Sequence, residues 1–426
     1  MLMERLFLLL TLLPWFKPKR NYFPLIILIL ISFLLDLYVY QGVEKLTENL
    51  YYGQIINFLY WVVSFAVLFS FVYLLLKIFA SREFTRIFNI VFNSFLTLFV
   101  TKIIFISVLL GEDIYRLGLS IFQSSFTVGS SFPGRSLWAS QAAFIVSSIP
   151  FFSFIFGVTH GKYNYKIRKT SLYFDDLPDD FQGFTLVQIS DIHSGSFDNP
   201  KAVKKGVNLI NSLNPDLFVF TGDLVNNKAS EILPYLEIFK SIKAPFGKFS
   251  ILGNHDYGDY IRWRNPQEKA NNLELLKKYH HELDFKLLLD QHILIKKDND
   301  QIALLGVENW GKGFGERGNL RKALIGLKAH DFKVLLSHDP SHWDAQVKQN
   351  PSKIHLTLSG HTHGMQFGIE IGKFKWSPVK YRYPNWAGLT EENKRYLYVN
   401  RGFGFLGFAG RIGIWPEITH ITFRKK

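Results

Sequence analysis

No cysteine occurs among the 426 residues, so disulfides, thiolate metal sites and cysteine nucleophiles are all excluded. The absence leaves the compartment open, because a cysteine-free chain is indifferent to redox poise. Charge is the second scarcity, and it is local: of 49 Lys or Arg and 35 Asp or Glu, residues 1–160 hold only 11 and 7. There is no internal repeat and no low-complexity tract, and a composition of 48% hydrophobic and 16% aromatic residues excludes a disordered or collagen-like chain. A charge-poor front joined to a charged remainder implies a membrane anchor followed by a soluble domain. The remainder carries most of the net charge of +14. Such a balance suits nucleic acid, anionic lipid or a phosphate-bearing substrate, and charge alone does not choose among them.

Four apolar stretches approach or exceed the roughly 20 residues a helix needs to cross a bilayer. They run from Tyr22 to Tyr40, Ile55 to Ala80, Ile87 to Leu110 and Leu137 to Gly157. The leading Met1 to Phe16 segment is apolar but short and lacks a small-residue cleavage site, which predicts an uncleaved interfacial helix rather than a signal peptide. Arg5, Lys17, Lys19 and Arg20 precede the first span, Lys77, Arg82 and Arg86 flank the loop between the second and third, and Lys162, Lys166, Arg168 and Lys169 follow the fourth. The opposite loops hold Lys45, Arg116 and Arg135. Positive-inside reasoning then predicts an integral protein of the inner or plasma membrane with both termini and the soluble domain in the cytoplasm. Asp36 and Lys102 fall at similar depth in the first and third spans, where unpaired charge is costly, so they are expected to pair.

From about Tyr165 onward, short apolar runs alternate with helix-compatible segments. Thr185 to Ile189, Leu217 to Phe220, Phe249 to Leu252, Ile302 to Leu305, Val334 to Leu336 and Ile354 to Leu358 read as buried strands. Pro200 to Ser212, Ala229 to Ser241, Glu268 to His281 and Leu320 to Lys328 read as helices. The chain therefore divides into a membrane anchor, 1–160, and an α/β domain, 161–426. Polar motifs follow the strands: Asp191-Ile192-His193, Gly222-Asp223, Gly253-Asn254-His255-Asp256, Ser337-His338-Asp339 and Gly360-His361-Thr362-His363-Gly364. Ligand sites in α/β domains gather beyond the carboxyl ends of strands, so these motifs reach one rim. A collection of imidazoles, carboxylates and one amide suits first-row divalent metals and exceeds what a single tetrahedral site takes.

In this order the motifs resemble those of the calcineurin-like metallophosphoesterase superfamily. Leu177-Pro178, Gly183-Phe184, Asn400-Arg401-Gly402 and Pro416-Glu417-Ile418 are similar to its bacterial membrane-associated branch, which carries N-terminal transmembrane helices. The resemblance implies a four-layer sandwich, two mixed sheets flanked by helices, here preceded by an all-α bundle of about four transmembrane helices. It implies two divalent metal ions, Mn, Fe or Zn. Carried over residue by residue, the first would be held by Asp191, His193, Asp223 and His363, and the second by Asp223, Asn254, His338 and His361, with Asp223 as the bridge. His255 would stabilise or protonate the leaving oxygen as the catalytic residue.

The activity expected is hydrolysis of a phosphate ester or pyrophosphate bond. Tethering favours a lipid or lipid-linked substrate, and nucleic acid is not expected as a partner. A membrane sensor or scaffold that binds ligand without turnover, and an enzyme acting on soluble nucleotides, stand as alternatives. Asn226, Asn227 and Glu308-Asn309-Trp310 fall where rim loops should be. The aromatic series Phe367, Phe374, Trp376, Tyr381, Tyr383, Trp386, Phe403, Phe405, Phe408 and Trp415 divides between core packing and a lipid-facing role.

Overall fold

Two patterns of burial organise the chain, and they belong to two units, Met1–Val158 and Thr159–Lys426. The computed structural model describes residues 22–81, 86–125, 132–372 and 374–426. The interfacial helix expected over Met1 to Phe16, and the charges of Arg5, Lys17, Lys19, Arg20 and Arg82, lie outside the described residues.

The first unit contains α1 (Phe23–Thr47), α2 (Gly53–Ser81), α3 (Arg86–Ser124) and α4 (Leu137–Thr159). Each is long and apolar enough to cross a membrane. Large apolar side chains such as Phe58, Ile145 and Ile149 face outward, as lipid solvation allows. The α3 helix overruns the expected third span, for its 39 residues rise about 58 Å against about 30 Å of hydrocarbon. Its additional turns carry Glu112, Asp113 and Arg116. Arg135 meets Glu112 at 2.8 Å, and Arg116 meets Asp113 at 2.7 Å. Deeper in the bundle the expected pair forms, with Lys102 Nζ 2.6 Å from Asp36 Oδ1. Asp36 also accepts hydrogen bonds from Tyr60 Oη at 2.7 Å and Ser64 Oγ at 2.9 Å.

The second unit holds two six-stranded sheets. The first runs β1 (Lys166–Phe174), β16 (Glu417–Lys425), β2 (Thr185–Ile189), β3 (Leu217–Phe220), β4 (Lys248–Ser250) and β5 (Lys286–Leu287). The second runs β14 (Gly388–Glu392), β15 (Arg395–Val399), β11 (Leu356–Ser359), β10 (Lys333–Leu336), β7 (Asp300–Gly306) and β6 (Gln291–Lys297). In the first sheet only the β16 and β2 pairing is antiparallel; in the second only the two outer pairings are. Two short ribbons, β8 (Trp310–Gly311) with β9 (Gly315–Glu316) and β12 (Ile369–Ile371) with β13 (Phe374–Trp376), stand apart from both.

Strand alternation builds the layers. Leu186, Leu217 and Val219 pack against Leu304, Val334, Leu336 and Leu358 between the sheets. Val187, Ile189, Phe218 and Phe220 point the other way, onto α5 (Pro200–Ser212), α6 (Leu236–Lys240) and α7 (Pro266–Glu282). Leu305, Leu335 and Leu397 likewise pack against α8 (Leu320–Leu324) and Trp343. The result is the expected order of helix, sheet, sheet and helix. Two helices depart from expectation: α8 stops at Leu324 rather than Lys328, because Ile325 turns extended and Gly326 is left-handed. Ala229 to Ser241 is broken at Pro234 into a 3-10 segment, Ala229–Tyr235, followed by α6, because proline lacks the N–H an α-helix interior requires.

Candidate metal centre

Each motif leaves the carboxyl end of a strand. Asp191 and His193 follow β2, Asp223 follows β3, Asn254 and His255 follow β4, His338 follows β10, and His361 and His363 follow β11. Both sheets thus contribute side chains to one rim. The backbone there is unusual: Asp191, His193, Asp223, His361 and His363 all adopt left-handed conformations, with φ of 53°, 47°, 63°, 70° and 50°. Such values are uncommon outside glycine, cost energy, and gather where function over-determines the chain. Gly222 has φ of 93°, and a Cβ on it would stand 2.6 Å from the Gly253 nitrogen. At Gly360 a Cβ would lie 1.9 Å from Ser190 Oγ, so the loops approach as closely as glycine permits.

The side chains form two groups, Asp191 with His193 and His363, and Asp223 with His338 and His361, the ligand atoms in each lying within 4.8 Å of one another. Asp223 joins the groups. Its Oδ2 is 3.4 Å from His193 Nε2 and 3.2 Å from His338 Nε2. Asn254 Oδ1 lies 3.2 Å from His338 Nε2 and 2.9 Å from His361 Nδ1, and Asp191 Oδ1 lies 3.3 Å from His363 Nε2. Donors about 2.1 Å from a shared ion at roughly right-angled to tetrahedral angles stand about 3.0–3.4 Å apart, close to the spacing found.

The far side of most imidazoles is already committed. His193 Nδ1 donates to Asn226 Oδ1 at 3.1 Å, His338 Nδ1 donates to the Thr221 carbonyl at 2.7 Å, and His361 Nε2 lies 3.0 Å from Tyr383 Oη and 3.3 Å from Asp339 Oδ2. These partners fix tautomers whose remaining lone pair points into the cluster. Nε2 of His193 and of His363 is buried and makes no hydrogen bond among the described residues. The His193 Nε2 lone pair, left without a donor beside buried carboxylates, is what a cation would satisfy. His363 differs in that its Nδ1 faces Arg411 Nη2 at 3.3 Å, and Arg411 itself is held by the Gly402 and Gly404 carbonyls.

Electrostatics agree with the geometry. Burial opposes ionisation of Asp191 and Asp223, yet neighbouring imidazoles, His363 for the first and His338 for the second, hold both carboxyls below their ordinary range. Burial lowers His338, but the Asp223 charge prevails and raises it to about 10. The carboxylates thus demand positive charge from whatever is nearest. His255 is different, pushed down to about 4 by burial. Its Nδ1 donates to the Asn226 carbonyl at 2.9 Å, and its ring stacks on Tyr260 with centroids 4.3 Å apart.

Several supports come from contacts between loops; Asp256, whose place after His255 suggests a carboxylate that orients His255 or a metal ligand, is one. Asp256 does not meet His255; its carboxylate accepts from the backbone nitrogens of Asp223 and Gly253 at 2.9 Å and of Leu224 at 2.8 Å, tying the β3 and β4 loops together. Asn226, expected only at the rim, orients both His193 and His255. Asp339 and Tyr383 orient His361, and Tyr383, Trp386, Phe403 and Phe405 are buried. No local pattern marks such roles, which arise from contacts between distant loops. His342, near His338 in sequence, is packed away from the cluster, bonded to Ser337 Oγ at 2.8 Å and stacked on Trp310.

Comparison with known proteins gives two family matches. Residues 184–365 match the family described as calcineurin-like phosphoesterase, and residues 20–162 match the one described as probable calcineurin-like phosphoesterase, transmembrane domain. The chain is 29% identical over 282 residues to a zebrafish (Danio rerio) transmembrane protein with metallophosphoesterase domain, a match covering 64% of this chain and 60% of that relative's length. It is 30% identical over 255 residues to the uncharacterized metallophosphoesterase YkuE of Bacillus subtilis, covering 58% of this chain and 82% of that one. Similarity to the UDP-2,3-diacylglucosamine pyrophosphatase LpxG of Chlamydia muridarum is 29% over 271 residues, covering 52% of this chain and 78% of that protein.

Proposed function

The chain belongs to the calcineurin-like phosphoesterase family, and on that premise we propose that it is a membrane-anchored, binuclear-metal phosphoesterase. In this reading residues 1–160 are the anchor and residues 161–426 the catalytic domain, held on the cytoplasmic side. The observation that carries the reading is the Asp223 carboxylate, whose one oxygen lies within 3.4 Å of imidazoles from both groups. Asp191, His193, Asp223 and His363 would hold one divalent ion, and Asp223, Asn254, His338 and His361 the other. The buried Nε2 atoms of His193 and His363, which make no hydrogen bond among the described residues and stand beside Asp223 and Asp191, fit that role. The mixture of nitrogen and oxygen donors suits Mn, Fe or Zn.

When bound, such a pair would lower the pKa of a coordinated water and neutralise phosphate charge. The remaining work falls to the chain. His255 has its Nδ1–H committed to the Asn226 carbonyl, which leaves Nε2 for proton transfer; because burial keeps the ring neutral, Nε2 would take up a proton first and then pass it to the departing oxygen. Asn226 and Tyr260 keep that ring in place, and Asp256 keeps the loops carrying Asp223 and Asn254 in register. A lipid or lipid-linked substrate is favoured by the four apolar helices and by similarity to an enzyme named for a diacylglucosamine nucleotide.

The test is metal analysis of the purified full chain, followed by a panel of phosphate monoesters, diesters and pyrophosphates in water and in mixed micelles. Two ions per active chain, removal of activity by chelation and its return with Mn are expected. One ion per fully active chain, or turnover that survives exhaustive chelation, would overturn the reading.

A further inference from the structure

The β12 and β13 ribbon is built inside out. Its register pairs Ile369 with Trp376, Glu370 with Lys375 and Ile371 with Phe374. Paired residues share a face of a two-stranded ribbon, so Ile369, Ile371, Phe374 and Trp376 lie on one side and Glu370 with Lys375 on the other. In a soluble protein the apolar side would be turned to the core. Here the polar side is. Glu370 meets Arg168 at 2.7 Å and Arg401 at 2.8 Å, and the Lys375 ammonium donates to the Ala387 carbonyl and lies over the Trp386 ring. Trp376 is half-buried, but the rest of the apolar side is left open: Ile369 is 48% exposed, Ile371 74% and Phe374 61%.

A few residues further along the chain, the short 3-10 turn Pro378–Tyr381 exposes another aromatic ring. Tyr381 is 71% exposed, and the side chains of Lys380 and Arg382 on either side of it are exposed as well. Apolar tips flanked by an amphipathic aromatic ring and cations match the boundary between anionic headgroups and acyl chains, where tyrosine and basic side chains concentrate. Large exposed apolar side chains gathered in one place call for a partner. A chain carrying four helices able to cross a membrane always has an apolar phase at hand.

We propose that the Ile369–Trp376 ribbon, with Tyr381, is a lipid-docking hairpin that enters the headgroup region of an anionic bilayer. The ribbon begins at Ile369, directly after the loop that carries His361 and His363. Seating the hairpin in lipid would bring the mouth of the metal centre to the surface where amphiphilic substrates lie. The docking claim does not require turnover, and only its consequence for substrate depends on the proposed activity.

The absence of cysteine makes the test clean. Full-length Ile371→Cys and, as a water-facing control, Lys278→Cys on α7 are labelled with an environment-sensitive fluorophore. Both are reconstituted into phosphatidylcholine and phosphatidylglycerol vesicles with and without acyl-brominated lipid. Quenching several-fold stronger at position 371 than at 278, and weakened by Phe374→Asp in the same chain, is the expected result. Equal quenching at the two positions overturns the proposal. So does ready disulfide formation between two chains at position 371 without quenching, which would make a second copy the occupant. If quenching is as expected but no ester is hydrolysed, docking stands and the phosphoesterase reading falls.

Discussion

The membrane bundle and the α/β unit both bury charge, and they treat it in opposite ways. In the bundle the buried carboxylates of Asp36 and Glu112 are met by cations and hydrogen-bond donors. Asp36 is met by Lys102, Tyr60 and Ser64, and Glu112 by Arg135 and by the backbone nitrogen and hydroxyl of Ser136 at the start of α4. At the strand ends two carboxylates and three imidazoles are buried together with His361 at their edge, five of the candidate ligands have left-handed backbones, and two ring nitrogens make no hydrogen bond among the described residues. A closed network spends its charges on holding helices together. An open one keeps them available for a ligand, and that distinction, more than burial itself, separates structure from site.

The largest effect expected from breaking this comparison is at Asp223. Asp223→Ala removes the oxygen shared by both groups, and turnover and both ions are expected to be lost together, whereas His193→Ala should deplete mainly one ion. Metal analysis of the two variants side by side decides it, and an Asp223→Ala protein retaining both ions would sink the bridge. Next, His255→Ala is expected to slow turnover on the order of 10² to 10⁴-fold with metal content intact. The check is a series of esters with leaving groups of graded basicity, and a loss that is the same across the series would remove His255 from proton transfer.

In the bundle the effects should be smaller and fall on stability. Asp36→Val leaves the Lys102 ammonium with the Ser64 hydroxyl at 3.0 Å and the face of the Tyr60 ring, while Lys102→Met leaves Asp36 with two hydroxyl donors. The first is therefore expected to be the worse, by about 2 to 3 kcal/mol relative to the native bundle. The Asp36→Val, Lys102→Met double variant should recover most of the loss in thermal unfolding in detergent. A double variant as unstable as the sum of the singles would show that the pair is not a unit.

An effect that is absent at neutral pH sharpens the contrast inside the α/β unit. His280 is buried against Phe220 and bonded to Ser250 Oγ at 2.9 Å, and burial lowers it to about 3. Because the folded value lies below the ordinary one of about 6.5, the unfolded chain binds the proton first. Its contribution to stability is full above about pH 6.5 and is lost as pH falls toward 3, by at most about 1.4 kcal/mol per unit. Denaturation midpoints of the native protein and His280→Gln between pH 4 and 7 test this. Parallel curves would exclude His280 as a source of acid sensitivity.

Some of the architecture is legible in the primary structure, for identifiable reasons. The β2 and β3 strands and α5 were expected at the bounds observed, since buried parallel strands are unbroken apolar runs and α5 opens with an Asn199 cap and Pro200. The seven residues expected to hold metal are brought to one rim because each follows a strand. By contrast β1, with its largely exposed pattern, and β16 were not anticipated as strands, because their pairing is non-local. Nor could spacing show that Asp339 and Tyr383 support His361, since β10, β11 and the segment before β14 meet only after the second sheet has formed.

The position of β16 bears on how this protein is made. It lies between β1 and β2, parallel to one and antiparallel to the other, so Thr419 pairs with Gln188 across most of the α/β unit's sequence. During synthesis the four apolar helices leave the ribosome first, and β1 and β2 follow with a gap between them that cannot be filled until residue 417 emerges. Non-local pairing of this kind delays completion of the sheet. The nascent chain is therefore held in an unfinished state through nearly all of its translation, and the loops that gather Asp191 and Asp223 reach their final shape only at the end. A message cut short before that strand would yield an inserted anchor bearing an unfolded domain, a ready substrate for proteolysis rather than a partly working enzyme.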